Sequence, residues 1–210
     1  MPKLPRPPTA VSLRSTLLAQ TDIVAVAPHS TLWRIHRTVG THVQPWNEIR
    51  RYGPLPGRRF EPHDPPLREQ DKSVLYVGLD TRTCVAEVFQ TTRLVDRHTG
   101  TPYLTGMQLT RSVRLLDLSG DWPTRAGASQ AINSGPRPRA SDWARTIREA
   151  YEIDGLWYPS SMHGGGMCAA LFDTAADALP AGPRVSVALA HPALAGPLAR
   201  FADDLGYRLL

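Results

Sequence analysis

Residues Val74 to Phe89 read VLYVGLDTRTCVAEVF, and the rhythm of the chain changes in the middle of this stretch. From Ser73 to Leu79 the residues are mostly apolar, with Tyr76 on one face and Leu75, Val77 and Leu79 on the other, the pattern of a strand. Thr81 then offers a hydroxyl cap, and Cys84, Val85, Val88 and Phe89 recur at helical spacing, so a helix is expected to run to about Leu94. Glu87 falls at the flank of that apolar face, one turn after Cys84, where a side chain can turn toward a cleft. A strand feeding a helix, in a chain where strand-like runs are in the majority, predicts a single α+β domain with a mixed sheet.

Toward the N-terminus, Leu32 to Arg37 alternates as a strand does, so Arg34 faces away from Trp33 and Ile35. Asp22 to Val26 reads as the start of the core. Tyr52 to Pro66, YGPLPGRRFEPHDPP, is too rich in proline and glycine for regular structure and reads as a long, functional loop. Four prolines in the first eight residues give an extended arm, and Thr9 to Gln20 a short helix. Residues 1–25 are thus set apart from a domain occupying 26–210. Toward the C-terminus, Tyr103 to Leu109 and Val113 to Leu118 read as strands, Ser119 to Ala140 as loop, and Ser141 as the cap of a helix to Glu152. Gly155 to Tyr158, Met167 to Phe172 and Val185 to Ala190 read as buried strands, and Leu194, Leu198, Phe201 and Leu205 as the stripe of a final helix.

With 210 residues, 41% hydrophobic and 20% charged, the chain has the composition of one globular domain. No apolar run reaches the roughly 18 residues that cross a bilayer, and the N-terminus has no secretory-type apolar segment, so a cytoplasmic protein without membrane contact is expected. Cys84 and Cys168 read as buried thiols. The net charge of +5 rests almost wholly on arginine, whose planar fork grips phosphate. Those arginines are scattered apart from Arg50, Arg51, Arg58 and Arg59, and no basic stripe is interleaved with aromatics, which weighs against general nucleic-acid binding. PSSMHGGG lacks the G-x-S-x-G of a nucleophile elbow and reads as a turn between strands. P-loop, zincin and Rossmann motifs are absent.

Four segments, taken in order, resemble the RES-domain family: LWRIHR at Leu32 to Arg37, GRRF at Gly57 to Phe60, VLYVGLDTRTCVAEVF at Val74 to Phe89, and DGLWYPSS at Asp154 to Ser161, followed by CAALFD. The family supplies the toxin half of bacterial toxin–antitoxin pairs, and its fold resembles that of ADP-ribosylating toxins. Its members degrade NAD by hydrolysis or phosphorolysis, or transfer ADP-ribose to a protein. The resemblance therefore implies an NAD glycohydrolase or phosphorylase that depletes cellular NAD, with a protein mono-ADP-ribosyltransferase as the alternative. A basic RNA-binding or ribonuclease toxin is the reading from another class. NAD is the implied substrate, with no cofactor or metal. The implied partner is a cognate helix-turn-helix, Xre-like antitoxin, which would carry any contact with DNA, alongside further copies of the chain in that complex.

Carried over by position, the implied site residues are Arg34, Arg59, Tyr76, Glu87 and Ser160. Arg34 and Arg59 suit a pyrophosphate clamp, Arg34 also serving catalysis. Glu87 suits the charge that develops on an oxocarbenium-like ribose as nicotinamide departs. Tyr76 suits stacking on nicotinamide. Ser160 suits a hydrogen bond that orients Glu87 or the nicotinamide ribose, since as a nucleophile it lacks a base. The chain departs from the family pattern where Glu61 and Pro62 follow Phe60 in place of the usual Asn, where Arg58 doubles the loop arginine, and where Ser161 replaces an arginine.

Overall fold

The computed structural model describes residues 4–210; the first three residues of the proline-rich arm lie outside the described part. The strands are β1 (Ile23–Val26), β2 (Thr31–Arg37), β3 (Arg50–Gly53), β4 (Arg68–Gly78), β5 (Leu94–Val95), β6 (Pro102–Gln108), β7 (Val113–Asp117), β8 (Gly155–Pro159), β9 (Met167–Phe172), β10 (Val185–Ala188) and β11 (Arg208–Leu209). The helices are α1 (Ala10–Arg14), α2 (Ala19–Asp22), α3 (Thr81–Val88), α4 (Trp122–Arg125), α5 (Ala131–Ser134), α6 (Arg137–Ala150) and α7 (Pro192–Leu205), with one 3₁₀ turn at Asp173–Ala178. Nine strands form a mixed sheet in the order β1-β7-β8-β9-β4-β2-β6-β10, with β3 paired to β4, while β5 and β11 make a small parallel ribbon. This is the expected α+β, mixed-sheet architecture.

The sheet holds together through its hydrophobic faces. The parallel neighbours β7 and β8 are joined by the segment carrying α4 to α6. That segment buries Trp122, Trp143 and Ile147 with Leu116, Leu156, Phe60 and Phe172. A second cluster joins Leu32, Leu75, Met107 and Leu171, and a third sets Val85 of α3 and Phe89 just after it against Ile35 and Leu198. Each fully buried side chain of this size contributes about 1.5–3 kcal/mol.

One place in the sheet is left open. β2 pairs with β6 along its whole length but meets β4 only at Trp33 and Gly78. Before that point the same edge of β4 is taken by β3, through Arg50 and Val74, the opposite edge being held by β9. The strands therefore part after a single contact and leave a slot between β2 and the β3–β4 pair. Gly78 is required at the apex, because a Cβ there would stand 2.7 Å from the Cys84 sulfur.

Several boundaries differ from the expected ones. Asp80, not Thr81, caps α3, its carboxylate accepting from the Thr83 amide at 2.7 Å. The helix ends at Val88 instead of reaching Leu94, and Arg93 is left-handed at φ 51°. α6 begins at Arg137 with proline in its first turn, so Ser141 is an interior residue and not a cap. β4 reaches back to Arg68 because its polar first half forms a solvated ribbon with β3. β10 is an edge strand, short and largely exposed, although Val185 to Ala190 reads as buried. The N-terminal segment packs down: Leu4 and Leu13 are buried, and the Trp143 indole donates to the Pro5 carbonyl at 2.9 Å. Among the described residues, no helix is long and apolar enough to cross a membrane.

Candidate active site

The slot deepens into a cleft of about 830 Å³, open mouth included, whose walls include Arg34, Arg58, Arg59, Tyr76, Glu87 and Arg137. A second lobe adjoins it and shares Arg34, Arg58, Tyr76 and Val88. Arg34, Arg59, Tyr76 and Glu87 thus come together from β2, the Pro-rich loop, β4 and α3. Ser160 reaches the site through Glu87, and the wall itself takes in Ser161.

Glu87 sits in the last turn of α3. Its Oε1 accepts from the Ser160 hydroxyl at 2.6 Å and the Ser161 amide at 3.0 Å, while Oε2 accepts only a longer bond, 3.3 Å, from the Gln90 amide. It forms no ion pair among the described residues. Ser160 is itself fixed, since its Oγ accepts from the amides of Met162 and His163 at 3.1 and 3.0 Å. Its single proton goes to Glu87.

The turn carrying these serines is bolted to the start of α3. The Thr83 hydroxyl gives its proton to Asp80 at 2.6 Å, so His163 Nδ1, 2.8 Å away, donates to Thr83 Oγ1. Gly166 closes the turn, and a Cβ there would lie 2.4 Å from Thr83 Oγ1 and 2.5 Å from His163 Nδ1. The HGGG segment is the turn between β8 and β9 that the sequence suggests.

The arginines behave differently from one another. Arg34 Nη1 is held by the carbonyls of Pro45, Trp46 and Glu48 at 3.0–3.3 Å, so much of its donor capacity shapes the 44–48 segment walling the cleft. Burial pulls its pKa down to about 10, against the pull of Glu48, and it stays cationic at neutral pH. Arg59 is half-buried and donates to the Gly135 carbonyl at 2.8 Å, with its pKa lowered by burial and by Arg137. Arg58 is exposed, spans both lobes, and its side chain has no hydrogen bond or ion pair among the described residues. Ser141, read as a cap, instead donates to the Arg59 carbonyl at 3.0 Å and fastens the loop.

Tyr76 lines both lobes and anchors its hydroxyl on Glu61 Oε1 at 2.9 Å. Glu61 is fully buried, is ion-paired with Arg50, and accepts from the Leu55 amide at 3.0 Å. His63 Nδ1 stands 3.3 Å from Oε2 but off line for a hydrogen bond. Burial opposes the Glu61 charge, and its neighbours overcome that opposition, holding the carboxyl down to about 2. Burial and Glu61 together raise the Tyr76 pKa well above its usual range, so the phenol stays protonated.

Sequence reasoning missed the roles of Glu61, Arg50, Gln90, Thr83, His163 and Arg137. Only Glu61 left a sign, as a departure from the family pattern. Cys84 and Cys168 are buried free thiols in the cleft wall, the first pushed up to about 12 by burial. Among the described residues no three His, Cys, Asp or Glu side chains cluster to hold a metal ion.

The family model of the RES domain matches residues 31–192, most of the chain and every residue placed in the cleft. The chain belongs to the RES-domain family. No curated protein matches it. Among solved structures it is similar to a chain of the M. tuberculosis MbcT–MbcA toxin–antitoxin complex, at 16% identity, 93% coverage of this chain and 96% of that one, and a TM-score of 0.58. At that identity the likeness is one of fold. The matched range spans the strand-to-helix passage from β4 to α3 and the late serine turn, both of which line the cleft.

Proposed function

We propose that this RES-domain protein binds oxidised NAD in the cleft and cleaves its nicotinamide–ribose bond, acting as a toxin restrained by a cognate antitoxin. The observation that carries the reading is Glu87: a carboxylate with no ion pair among the described residues, clamped by neutral donors in a cleft lined with arginines. A dinucleotide offers the complement, with two pyrophosphate charges for the arginines and a ribose that becomes cationic in the transition state for the carboxylate.

In the step proposed, the bond from nicotinamide nitrogen to ribose C1′ breaks and its electron pair leaves with the neutral ring. Glu87 opposes the positive charge left on the sugar. Water or inorganic phosphate then adds at C1′, giving ADP-ribose with loss of a proton or ADP-ribose phosphate. The Glu87 charge works in the transition state, where it raises kcat, whereas Arg58, Arg59 and Arg34 act about equally before and during reaction and set KM. Tyr76 offers its ring to the nicotinamide, and Ser160 holds Glu87 in place.

Incubation of purified protein with NAD labelled in the adenylate half tests the reaction. Label confined to small molecules supports hydrolysis or phosphorolysis, label moving onto protein supports the transferase alternative, and intact NAD defeats both. Inducing the chain in a bacterial host, with and without its neighbouring gene, tests the toxin role. Growth arrest with falling NAD, relieved by the neighbour, is expected; arrest at constant NAD removes the mechanism.

A further inference from the structure

Oε1 of Glu87 receives two good hydrogen bonds, and its other oxygen receives one, from a residue that no motif marks. Gln90 follows Glu87 by three positions and folds its side chain back over the end of α3. Its Nε2 donates to the Glu87 carbonyl at 2.8 Å and to Glu87 Oε2 at 3.3 Å, while its Oε1 accepts from Arg137 Nη2 at 3.2 Å. These contacts admit one orientation of the amide. Flipped, it would set an oxygen against the carbonyl and carboxylate and an NH₂ against the guanidinium.

We propose that Gln90 and Arg137 form a positioning pair: Arg137 fixes the Gln90 amide, and Gln90 fixes the second oxygen of Glu87. The inference rests on the reading of Glu87 as the residue that faces the reacting ribose. All three side chains line the same cleft. A carboxylate tied at one oxygen alone can still swing about its Cγ–Cδ bond, and the Gln90 contact removes that freedom without neutralising the charge. A cation placed directly on Oε2 would pair with it and blunt its field at the sugar. The neutral amide between them keeps the guanidinium one group away.

The placement of Arg137 adds a link. It is the first residue of α6, two positions after Gly135, whose carbonyl receives Arg59. The short run Gly135–Arg137 therefore holds an arginine of the cleft and, through Gln90, its carboxylate. Binding and bond-breaking groups are thus referred to one short stretch at the start of α6.

The test is a cycle of purified variants assayed on NAD: Gln90→Leu, Arg137→Gln, Glu87→Gln and the double variant Gln90→Leu/Glu87→Gln, with melting temperature measured on each. Gln90→Leu should lower kcat about tenfold with KM within about twofold, in the range found when a group orienting an active residue is lost. Arg137→Gln should lower kcat about threefold, as fits one exposed hydrogen bond. In the Glu87→Gln background, Gln90→Leu should cause no further loss, because its target charge is already gone.

Normal kcat in a folded Gln90→Leu protein, while Glu87→Gln is inactive, overturns the inference and leaves the reading of Glu87 standing. Normal turnover by Glu87→Gln overturns that reading itself. A rise in KM alone for Arg137→Gln would make Arg137 a substrate contact and break the pair. Should Gln90→Leu fail to fold, Gln90→Glu replaces it: nearly the same shape, with an acceptor where the donor stood. It should lose kcat as Leu does, and full activity there overturns the proposal.

Discussion

Glu61 and Glu87 are two glutamates at one cleft, and the fold treats them in opposite ways. Glu61 has no exposed surface, pairs with Arg50 and accepts the phenol of Tyr76 and the amide of Leu55. Glu87 is half-buried, has no cationic partner among the described residues, and is gripped by a hydroxyl, a backbone amide and a side-chain amide. A carboxylate neutralised by a cation is spent inside the protein as a strut. One held by neutral donors keeps its charge for whatever enters the cleft. Substitutions at five positions break or sharpen this contrast.

The largest effect should come from the strut. Glu61→Gln keeps the side-chain shape but leaves the Arg50 guanidinium buried without its counter-charge, and such a loss destabilises by about 3–5 kcal/mol. Denaturant unfolding should show it, and a change below about 1 kcal/mol would mean that the ion pair does not anchor the loop. The pH dependence follows from the lowered carboxyl, about 2 in the fold against an ordinary 4.5. A depressed carboxyl stabilises the folded state fully above its ordinary pKa, and that contribution disappears as pH falls from about 4.5 toward 2. Acid unfolding of Glu61→Gln should therefore be shallower than that of the parent across this window.

Glu87→Gln should reverse the pattern. Removing the charge at unchanged shape should lower kcat roughly a hundredfold to a thousandfold, about 3–4 kcal/mol, while the fold and NAD affinity survive. Stability should fall by no more than about 1.5 kcal/mol, because the new amide oxygen still accepts from Ser160 and Ser161 and only the Gln90 contact is lost. Turnover, affinity and melting temperature on one preparation decide it. A folded protein with near-normal turnover would leave Glu87 as an ordinary helix glutamate.

The contrast also explains what the sequence could reveal. The passage from β4 into α3 was legible because the second half of β4 is an apolar run buried on both sides and α3 buries one face, so the apolar spacing changes where one gives way to the other. Met167–Phe172 was legible for a different reason: buried on both faces, it carries an unbroken apolar run. β3 and the first half of β4 carry polar residues such as Arg51, Glu69 and Asp71, and pairing between solvated strands leaves no periodic mark. The short helices α4 and α5 hide in a Gly- and Ser-rich stretch because burial of Trp122 and Ile132, not propensity, keeps them helical. Around the cleft, the family pattern pointed to residues that line it or reach it. Glu61 and Arg137 are joined to the others by contacts between distant segments, which one sequence does not encode in any local spacing, and Gln90, three residues after Glu87, carries no motif that would mark its contact.

A smaller effect should separate Arg58 from Arg59. A charge-assisted hydrogen bond to phosphate contributes about 1.5–3 kcal/mol, so losing the principal clamp should raise KM by roughly tenfold to a hundredfold with kcat little changed. Arg59 is anchored on Gly135 and already oriented, whereas Arg58 must be ordered by the ligand. Arg59→Ala is accordingly expected to raise KM more than Arg58→Ala. Initial-rate measurements over a range of NAD concentrations check it, and the opposite ranking would make Arg58 the clamp. A loss confined to kcat for Arg59→Ala would place that residue at the scissile bond.

The smallest effect expected is that of Ser160→Ala, and it tests how a neutral grip works. The hydroxyl donates to Glu87 Oε1 and accepts from the amides of Met162 and His163, so it ties the carboxylate to the turn while supplying no charge of its own. In the alanine variant the Ser161 amide and Gln90 still hold Glu87, and the turn keeps the bond from His163 to Thr83. The carboxylate should remain in place but wander, lowering kcat about tenfold with KM unchanged, the scale set by loss of one orienting contact. Ser160→Thr keeps the hydroxyl and should restore most of the rate. A serine acting as nucleophile would behave otherwise: alanine would abolish turnover as completely as Glu87→Gln, and a covalent intermediate on Ser160 would be trapped in rapid-quench experiments on the parent. Parallel kcat values for Ser160→Ala, Ser160→Thr and Glu87→Gln thus distinguish a residue that aims the charge from one that forms the bond.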